Sequence, residues 1–340
     1  MYSFINDYSE GAHERIVEAL VRTNREQSYG YGLDLHCENA RRLIQGELGR
    51  ESDIHFLVGG TQTNFTVISA LLRPHQGVVS ADTGHINVHE SGAVEATGHK
   101  VLTIKAENGK ITAAQVEKMV SDHYADENSE HTVQPGMVYI SHPTELGTTY
   151  TKKELTALHD ICAEYKIPLF LDGARLGCAL AAEGADITLK DLAELTDIFY
   201  IGGTKMGAMF GEAVVINNKS LGKDFRYILK QHGGMMAKGR MLGIQFEELF
   251  NEGLYLKLAK HAVSMAQKIK KTMEEKGYKF AVNSPTNQIF PIMPKAKLEE
   301  IKDEFAVGFW EKYDEENDVV RICTSWAADE EMINRFLEKL

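Results

Sequence analysis

Three polar segments whose side chains could do chemistry each follow a short apolar run. They are the glycine turn GGTQTN at residues 59–64, the carboxylate Asp172, and Lys205, which ends the turn GGTK. The apolar runs before them have the length and composition of buried strands. Because ligands of an open parallel sheet bind outside the carboxyl ends of its strands, the three segments are predicted to meet in one pocket.

The glycine turn has a chemical and a purely structural interpretation. A glycine turn that opens a helix offers free N–H groups and the positive end of the helix dipole to an anion such as a phosphate. The alternative is an ordinary strand-to-helix turn in which Thr61 or Thr63 is the N-cap of the helix. Residues 59–64 match neither the dinucleotide-binding pattern GxGxxG nor the P-loop pattern GxxxxGK[ST].

Asp172 and Lys205 are open to the same two kinds of interpretation. A carboxylate at a strand end can keep a heteroaromatic ring nitrogen protonated, or it can cap a turn and pair with Arg175. A lysine that is partly removed from water can form an imine, whereas most single lysines are solvated. Together, an anion site, an acid for a ring nitrogen and an imine-forming amine are what pyridoxal phosphate requires of its protein.

Two histidines and two arginines are further candidate site residues. His85 could stack on a planar ring or relay a proton near neutral pH, and His89 follows four residues later. The pair could chelate a metal, but no HExxH motif or cysteine partner supports this, and we predict no metal site. Arg175 and Arg321 could hold a carboxylate through paired N–H bonds, although Arg321 could equally pair with Asp318 at the surface.

The order of strands and helices predicts an α/β fold. Short apolar runs alternate with helical periodicity through the first 240 residues, which is typical of βαβ units and a mainly parallel sheet. Capping-box pairs at Thr112 with Gln115 and at Thr151 with Glu154 mark two helix starts. Predicted strands cover residues 54–58, 78–81, 101–104, 137–141, 168–171 and 198–201, with a return strand at 213–216.

Beyond residue 240 the pattern predicts a second, smaller α/β domain. Residues 242–276 are predicted as one long helical stretch. Further strands are expected at 278–282, 288–293 and 319–324, and further helices at 295–305 and 329–340. We therefore predict a large domain at 1–240, whose N-terminal segment contributes to the site, and a smaller domain at 241–340. No low-complexity linker separates them, so close packing is expected.

Composition excludes several classes of partner. The 340 residues carry a net charge of −12, from 37 basic and 49 acidic side chains, which disfavours nucleic acid as a ligand. The four cysteines form no CxxC pair and the N-terminus lacks a signal-peptide pattern, which predicts a reduced, cytoplasmic protein. No apolar run approaches the ~20 residues of a membrane span, so no membrane partner is expected.

These motifs resemble the threonine aldolase family of the β-eliminating lyase superfamily. The family consists of fold-type I, aspartate-aminotransferase-like enzymes that depend on pyridoxal phosphate. The similarity extends over nearly the whole chain, and its most specific segments are DGARL at 172–176 and GGTK at 202–205. Weaker segments are FINDYS at 4–9, YGLD at 31–34, GGTQTN at 59–64, ESGA at 90–93 and PTELGT at 143–148.

The resemblance implies a set of cofactor contacts. Lys205 would bind the cofactor as an imine, Asp172 would pair with the pyridine nitrogen, and His85 would stack on the ring. Gly60 and Thr61 would hold the phosphate. These residues are therefore expected to surround pyridoxal 5'-phosphate.

The resemblance also implies substrate and partner contacts. Arg175, which would also contact the cofactor, and Arg321 would face the substrate carboxylate, assisted by Asn6, where many members have serine. His142 is near, but not at, the position where members place a second active-site histidine in an NTHN run. Members build the pocket across a dimer, often within a tetramer, so a group of residues is expected to come from the partner chain: Tyr31, Lys230, Lys238 and Arg240.

The implied activity is retro-aldol cleavage of L-threonine, L-allo-threonine or a related β-hydroxy-α-amino acid to glycine and an aldehyde. The general base would be His85, His89 or an ordered water. The nearest alternative is another fold-type I lyase that performs β-elimination on an aromatic or sulfur-containing amino acid, or a decarboxylase or aminotransferase of that fold. A non-catalytic binding protein is disfavoured by the joint presence of Lys205, Asp172 and Arg321, and a nicotinamide oxidoreductase by the missing glycine fingerprint.

Overall fold

A computed structural model describes all residues of the chain, Met1–Leu340. The strands are β1 (Tyr2–Ser3), β2 (Asp53–Leu57), β3 (Gln76–Ala81), β4 (Val101–Ile104), β5 (Gln134–Ser141), β6 (Leu169–Asp172), β7 (Ile198–Gly202), β8 (Glu212–Ile216), β9 (Phe280–Val282), β10 (Gln288–Pro294), β11 (Phe305–Ala306), β12 (Gly308–Lys312) and β13 (Asn317–Cys323). The helices are α1 (Glu14–Arg22), α2 (Leu35–Leu48), α3 (Gly60–Leu71), α4 (His85–Val88), α5 (Ala93–Ala96), α6 (Ala113–Ala125), α7 (Lys152–Tyr165), α8 (Leu176–Ala181), α9 (Leu189–Leu195), α10 (Phe225–Gln231), α11 (Arg240–Phe250), α12 (Leu254–Glu275), α13 (Lys295–Ile301) and α14 (Glu330–Lys339).

Seven strands form a mainly parallel central sheet in the order β2-β8-β7-β6-β5-β3-β4. Only β8 is reversed, because it pairs antiparallel with both β2 and β7, and this confirms the predicted return strand. Every residue of β6, β7 and β8 is buried, as expected for strands covered by helices on both faces. All strands predicted in the first 240 residues are confirmed, with ends shifted by at most three residues.

The carboxyl ends of the middle strands of the sheet lie side by side. Ser141 at the end of β5 is opposite Asp172 at the end of β6. Strand β7 runs parallel to β6 and ends at Gly202, three residues before Lys205. The segments that follow these strands therefore leave the sheet at one edge, where the sequence predicts the site.

Helix starts follow their local sequence signals. Both predicted capping boxes are present, with Thr112 and Gln115 at the start of α6 and Thr151 and Glu154 at the start of α7. Such reciprocal hydrogen bonds satisfy backbone donors that the first helical turn leaves unpaired. None of the helices is both long enough and apolar enough to span a membrane.

A second sheet, antiparallel and four-stranded, has the order β12-β13-β10-β9. Its core also takes in the N-terminal segment, because β1 pairs with β11 and Phe4 is buried against Phe305 and Phe336 at ring distances of 6.2 and 4.9 Å. The first residues of the chain therefore pack with the C-terminal sheet, and the next residues continue from there to the edge of the large sheet.

The prediction of one helix across residues 242–276 is wrong. Helix α11 ends at Phe250, and α12 begins at Leu254 after a turn in which Glu252 has φ 55° and Gly253 has φ 67°. A right-handed helix cannot continue through left-handed residues. The polar triplet Asn-Glu-Gly at 251–253 is the local signal for this break.

The two hydrophobic cores meet along α12 rather than at residue 240. Buried side chains from Leu242 to Val263 pack with the large sheet, whereas those from Met265 to Met273 pack with the small one. The division of the chain at residue 240 stays a prediction. Helix α12 contributes to both cores.

Candidate active site

A cavity of about 240 Å³ opens at the carboxyl edge of the central sheet, and we call it the inner cavity. Its walls include Gly60, Thr61, His85, Asp172 and Lys205. All the residues expected to contact a cofactor ring or its phosphate therefore line one space. These residues come from four separate segments that the parallel strand order brings together.

A larger outer cavity of about 910 Å³ adjoins the inner one and extends to the small sheet. Arg321, Gln288, Trp310 and His89 line this outer cavity but not the inner one. Residues that line both cavities mark the junction between them, and they are Tyr8, His85, Glu145, Arg175 and Lys205. A ligand that spans the junction would touch both domains.

Asp172 is buried and accepts hydrogen bonds on both carboxylate oxygens. Oδ1 accepts from the Tyr200 hydroxyl at 2.5 Å, and Oδ2 accepts from the Tyr139 hydroxyl at 2.6 Å and from Asn64 Nδ2 at 3.0 Å. Burial raises the pKa of Asp172, but the charge of His85 and the two tyrosine hydrogen bonds outweigh it, so the pKa lies below its ordinary value. The carboxylate therefore stays ionised and can hold a cationic ring nitrogen.

Lys205 follows a turn that is fixed by a buried carboxyl group. Glu212 Oε1 accepts from Thr204 Oγ1 at 2.8 Å, and Oε2 accepts from the Gly203 N–H at 3.1 Å. Burial raises the pKa of Glu212 to about 8. Burial and the nearby Arg175 lower the pKa of the Lys205 amine, which favours the neutral, nucleophilic form.

Helix α3 presents its first turn to the inner cavity. The helix begins at Gly60, three residues after β2, and Gly60 and Thr61 both line the cavity wall. A Cβ atom on Gly60 would lie only 3.2 Å from the Tyr200 hydroxyl, so glycine permits this close approach. The free amides and the dipole of this twelve-residue helix suit a phosphate.

The imidazole of His85 is held by a buried carboxyl group. Its Nδ1 lies 2.7 Å from Glu90 Oε1, and the same oxygen accepts from Asn64 Nδ2 at 2.7 Å. Asn64 also donates to Asp172, so one amide joins the His85 support to the Asp172 carboxylate. This chain of contacts fixes the ring of His85 at the junction of the two cavities.

The neighbours of Asn6 take part in the site, but Asn6 does not: Tyr8 lines both cavities, and Asp7 binds the cavity residue Arg175. The Asn6 side chain accepts from the Tyr8 N–H and the Ser9 hydroxyl, both at 3.0 Å, and lines neither cavity. Asp7 is buried and accepts from Arg175 Nε at 2.6 Å and Nη2 at 3.0 Å. The predicted substrate contact of Asn6 therefore has no geometric support within the chain.

Asp7 connects three parts of the molecule. In addition to Arg175 of the large domain, it accepts a hydrogen bond from Asn287 Nδ2 of the small domain at 2.9 Å. Burial raises the pKa of Asp7, but the charges of Arg175 and Lys205 and these hydrogen bonds lower it to about 2. Two of the five N–H groups of the Arg175 guanidinium thereby bind Asp7, and Nη1 has no partner in the chain.

We expect Asp7→Asn to destabilise the protein more at pH 6 than at pH 3. A carboxyl group whose folded pKa is lowered from 3.8 to about 2 stabilises the fold by about 2.5 kcal/mol above pH 5. This contribution is lost as the pH falls, so the gap between wild type and variant should narrow by about 1 kcal/mol at pH 3. Urea unfolding at both pH values measures the difference in free energy of unfolding between wild type and variant. A difference that does not change with pH would contradict the prediction.

Arg321 reaches the outer cavity from β13. Its Nη2 donates to the Ile5 carbonyl at 2.8 Å, and its guanidinium lies 5.8 Å from the ring centre of Trp310. Asp318, the alternative surface partner, lies 3.8 Å from Lys295 instead. Arg175 and Arg321 therefore face the same space from opposite domains, as the carboxylate interpretation requires.

The other expected site residues lie elsewhere. His142 is buried and lines neither cavity; its Nδ1 accepts from the Tyr150 N–H at 3.3 Å, and burial lowers its pKa to about 4. Tyr31 and Lys230 also lie outside both cavities, with the Lys230 ammonium 4.6 Å from the Tyr31 ring centre. A catalytic role for Tyr31 and Lys230 in the site of their own chain is therefore not supported.

Sequence reasoning missed several polar residues of the site. The sequence motifs suggest no role for Asp7 in FINDYS or Glu145 in PTELGT. They also suggest none for Glu212, which immediately precedes the return strand predicted at 213–216. Tyr139 was predicted only as part of an apolar strand. It lies two residues before Ser141, so both side chains are on the same face of β5. Polar hydroxyls near the carboxyl end of a buried strand are the signal that would have found Tyr139 and Tyr200.

The sheet order, the single reversed strand and the paired cavities define the fold-type I class of pyridoxal-phosphate enzymes. Aspartate aminotransferase from Thermus thermophilus shares this fold, with a TM-score of 0.71 over 100% of this chain and 90% of its own at 16% identity. A family model described as beta-eliminating lyase matches residues 8–296. The chain belongs to the threonine aldolase family of the beta-eliminating lyases.

Individual relatives agree with this placement. The solved structure of a threonine aldolase from Leishmania major has 45% sequence identity and a TM-score of 0.96, covering 99% of this chain and 98% of its own. The low specificity L-threonine aldolase of Pseudomonas aeruginosa is 30% identical over 76% of this chain and 74% of its own. That of a Pseudomonas species is 29% identical over 88% of this chain and 86% of its own.

Proposed function

We propose that this protein is a pyridoxal-phosphate-dependent aldolase that cleaves L-threonine, L-allo-threonine or a related β-hydroxy-α-amino acid to glycine and an aldehyde. The observation that carries the proposal is the pair of adjoining cavities. One is lined by an amine, a carboxylate and a helix N-terminus, and the other by two arginines. The relatives named as L-threonine aldolases support the choice of substrate.

The residues of the inner cavity fit pyridoxal phosphate in kind and in number. Lys205 supplies the amine, Asp172 an ionised acid for the ring nitrogen, and Gly60 and Thr61 the free amides for the phosphate. His85 lies at the cavity wall where a planar ring can be covered. When bound, the cofactor supplies a conjugated electron sink for the Cα of the amino acid.

The residues of the outer cavity orient the amino acid. Arg321 and the free Nη1 of Arg175 bind its carboxylate, which fixes the Cα–Cβ bond relative to the inner cavity. Asp172 remains ionised and would keep the ring nitrogen of the cofactor protonated, which would favour electron flow away from Cα. Cleavage then requires a base that takes the proton of the β-hydroxyl group.

The assay that tests this function uses purified protein supplied with pyridoxal phosphate and the four threonine stereoisomers. Release of glycine and acetaldehyde from the L-isomers supports the proposal. Release of pyruvate and ammonia from aromatic or sulfur-containing amino acids, with no aldehyde from threonine, would identify a β-eliminating lyase instead. The ratio of kcat/KM for L-threonine and L-allo-threonine then defines the preference at Cβ.

We expect Arg321→Lys to raise KM for L-threonine by about 10- to 100-fold, equivalent to about 1.4–2.7 kcal/mol of lost binding. A lysine ammonium is a point charge and cannot make the paired N–H bonds of a guanidinium to a carboxylate. Arg335→Lys is the matched control, because Arg335 is a surface arginine of the same domain that pairs with Glu304. Equal KM values for both variants would exclude Arg321 from carboxylate binding.

We propose that the protein is a homodimer, or a tetramer built from two such dimers, in the cytoplasm. Large apolar side chains are exposed on residues 29–35, including Tyr29, Leu33 and Leu35, and Tyr227 is exposed nearby. A surface of this kind is typical of a subunit interface. All four cysteines are free thiols, which agrees with a reducing compartment.

A further inference from the structure

Glu145 has a unique place among the carboxylates of the site. It follows β5 and lines both cavities, whereas Asp172 lines only the inner one and Asp82 only the outer one. Its Oε1 accepts from the backbone N–H of His85 at 3.0 Å and from Ser141 Oγ at 2.6 Å. Oε2 has no partner in the chain and is not enclosed by protein atoms. One oxygen therefore anchors the group, and the other faces the cavities.

The surroundings of Glu145 suit a group that takes up a proton. Burial and the nearby charge of Asp172 raise the pKa of Glu145, against the opposing hydrogen bond from Ser141 and the charge of His85. A carboxylate with a raised pKa is a stronger base than an ordinary carboxylate. The groups facing it thus include one acid, one histidine and one hydroxyl.

The two histidines considered as bases are less suitable in geometry. The Nδ1 of His85 is already occupied by Glu90 at 2.7 Å, and its ring is the one placed to cover the cofactor. His89 lines only the outer cavity, and burial together with the positive charges of His85 and Arg321 lowers its pKa. Glu145 also lies at the junction of the two cavities, and its Oε2 is not engaged by another group of the chain.

We propose that Glu145 is the catalytic base that accepts the β-hydroxyl proton, a step that rests on the aldolase function proposed above. Glu145 Oε2 takes the proton, and the O–H electron pair forms the C=O bond of the aldehyde. The Cα–Cβ bond breaks, and its electron pair stays with Cα, which is then protonated to give glycine. The net change is the transfer of one proton from the β-oxygen to Cα, so no further reactant is needed.

The test compares Glu145→Gln with Glu107→Gln. Glutamine keeps an oxygen that can accept from His85 and Ser141 but cannot take up a proton. Glu107 is an exposed glutamate outside both cavities, so its variant controls for the change of charge. Three quantities are measured for each protein: acetaldehyde release from L-threonine, solvent exchange of the glycine α-proton by NMR, and visible absorbance on addition of pyridoxal phosphate and then glycine.

For Glu145→Gln we expect cleavage to fall by about 10²–10⁴-fold, the usual contribution of a general base. Glycine has no β-hydroxyl, so its α-proton exchange and its effect on the absorbance should stay within about threefold of wild type. Cleavage near the wild-type rate, or an equal loss of cleavage and exchange, would overturn the assignment. If wild type exchanges the glycine proton but releases no aldehyde from any β-hydroxy amino acid, the aldolase function itself fails and this step with it.

Discussion

Lys205→Ala is expected to abolish aldehyde release from L-threonine, with a loss of at least about 10³-fold in kcat. The amine of Lys205 lines both cavities, and burial lowers its pKa, so it is the group able to bind the cofactor covalently. The variant supplied with pyridoxal phosphate should also lack the visible imine band of wild type. Absorbance spectra and a coupled aldehyde assay measure the two effects.

The control for this substitution is Lys153→Ala, which removes an exposed lysine from α7. It should keep both the spectrum and the activity of wild type. A second measurement is borohydride reduction followed by intact mass spectrometry, which adds the cofactor mass to wild type alone. A reduced cofactor adduct on Lys205→Ala would show that another lysine forms the imine and would contradict the assignment.

Asp172→Asn is expected to lower kcat by about 10²–10³-fold, or about 2.7–4 kcal/mol of transition-state stabilisation. An asparagine has no charge with which to keep a ring nitrogen protonated, so the electron sink weakens. The Tyr200 hydroxyl can still donate to the amide oxygen, and the Tyr139 hydroxyl can accept from the new amide N–H, so the fold should survive. Steady-state kinetics and thermal unfolding, measured on the same preparation, separate the two effects.

For this second substitution the control is Asp160→Asn on the exposed face of α7. It removes the same charge from the surface and should leave kcat unchanged. Asp172→Asn with a wild-type kcat would mean that the carboxylate has only a structural role. Another group in the inner cavity would then have to stabilise the charge that develops during the reaction.

The parallel sheet and its strand ends could be predicted because their signals are local. Residues 168–171 and 198–201 are continuous apolar runs, and each is followed by a polar group, Asp172 or Lys205. Rules for parallel sheets then place those groups at one edge without further information. The capping pairs, such as Thr151 with Glu154, were equally local, and the structure has them where they were expected.

The contacts that could not be predicted join distant parts of the chain. Asp7 meets Arg175 across 168 residues and Asn287 across 280 residues, and no spacing rule covers such pairs. Strand β12 was missed because its residues are mostly exposed, so it lacks an apolar run. The break at Glu252 was missed because a short turn with two left-handed residues leaves the apolar periodicity on either side intact.

The way Asp7 joins three segments also bears on how the enzyme is made. Asp7 leaves the ribosome early, but Asn287 and Arg321 are added only when most of the chain has been synthesised. The large sheet can therefore form while the substrate side of the site is still missing. A nascent or truncated polypeptide in this state could bind a cofactor but could not bind the carboxylate of an amino acid through Arg321. Activity would therefore arise only in the last stage of translation.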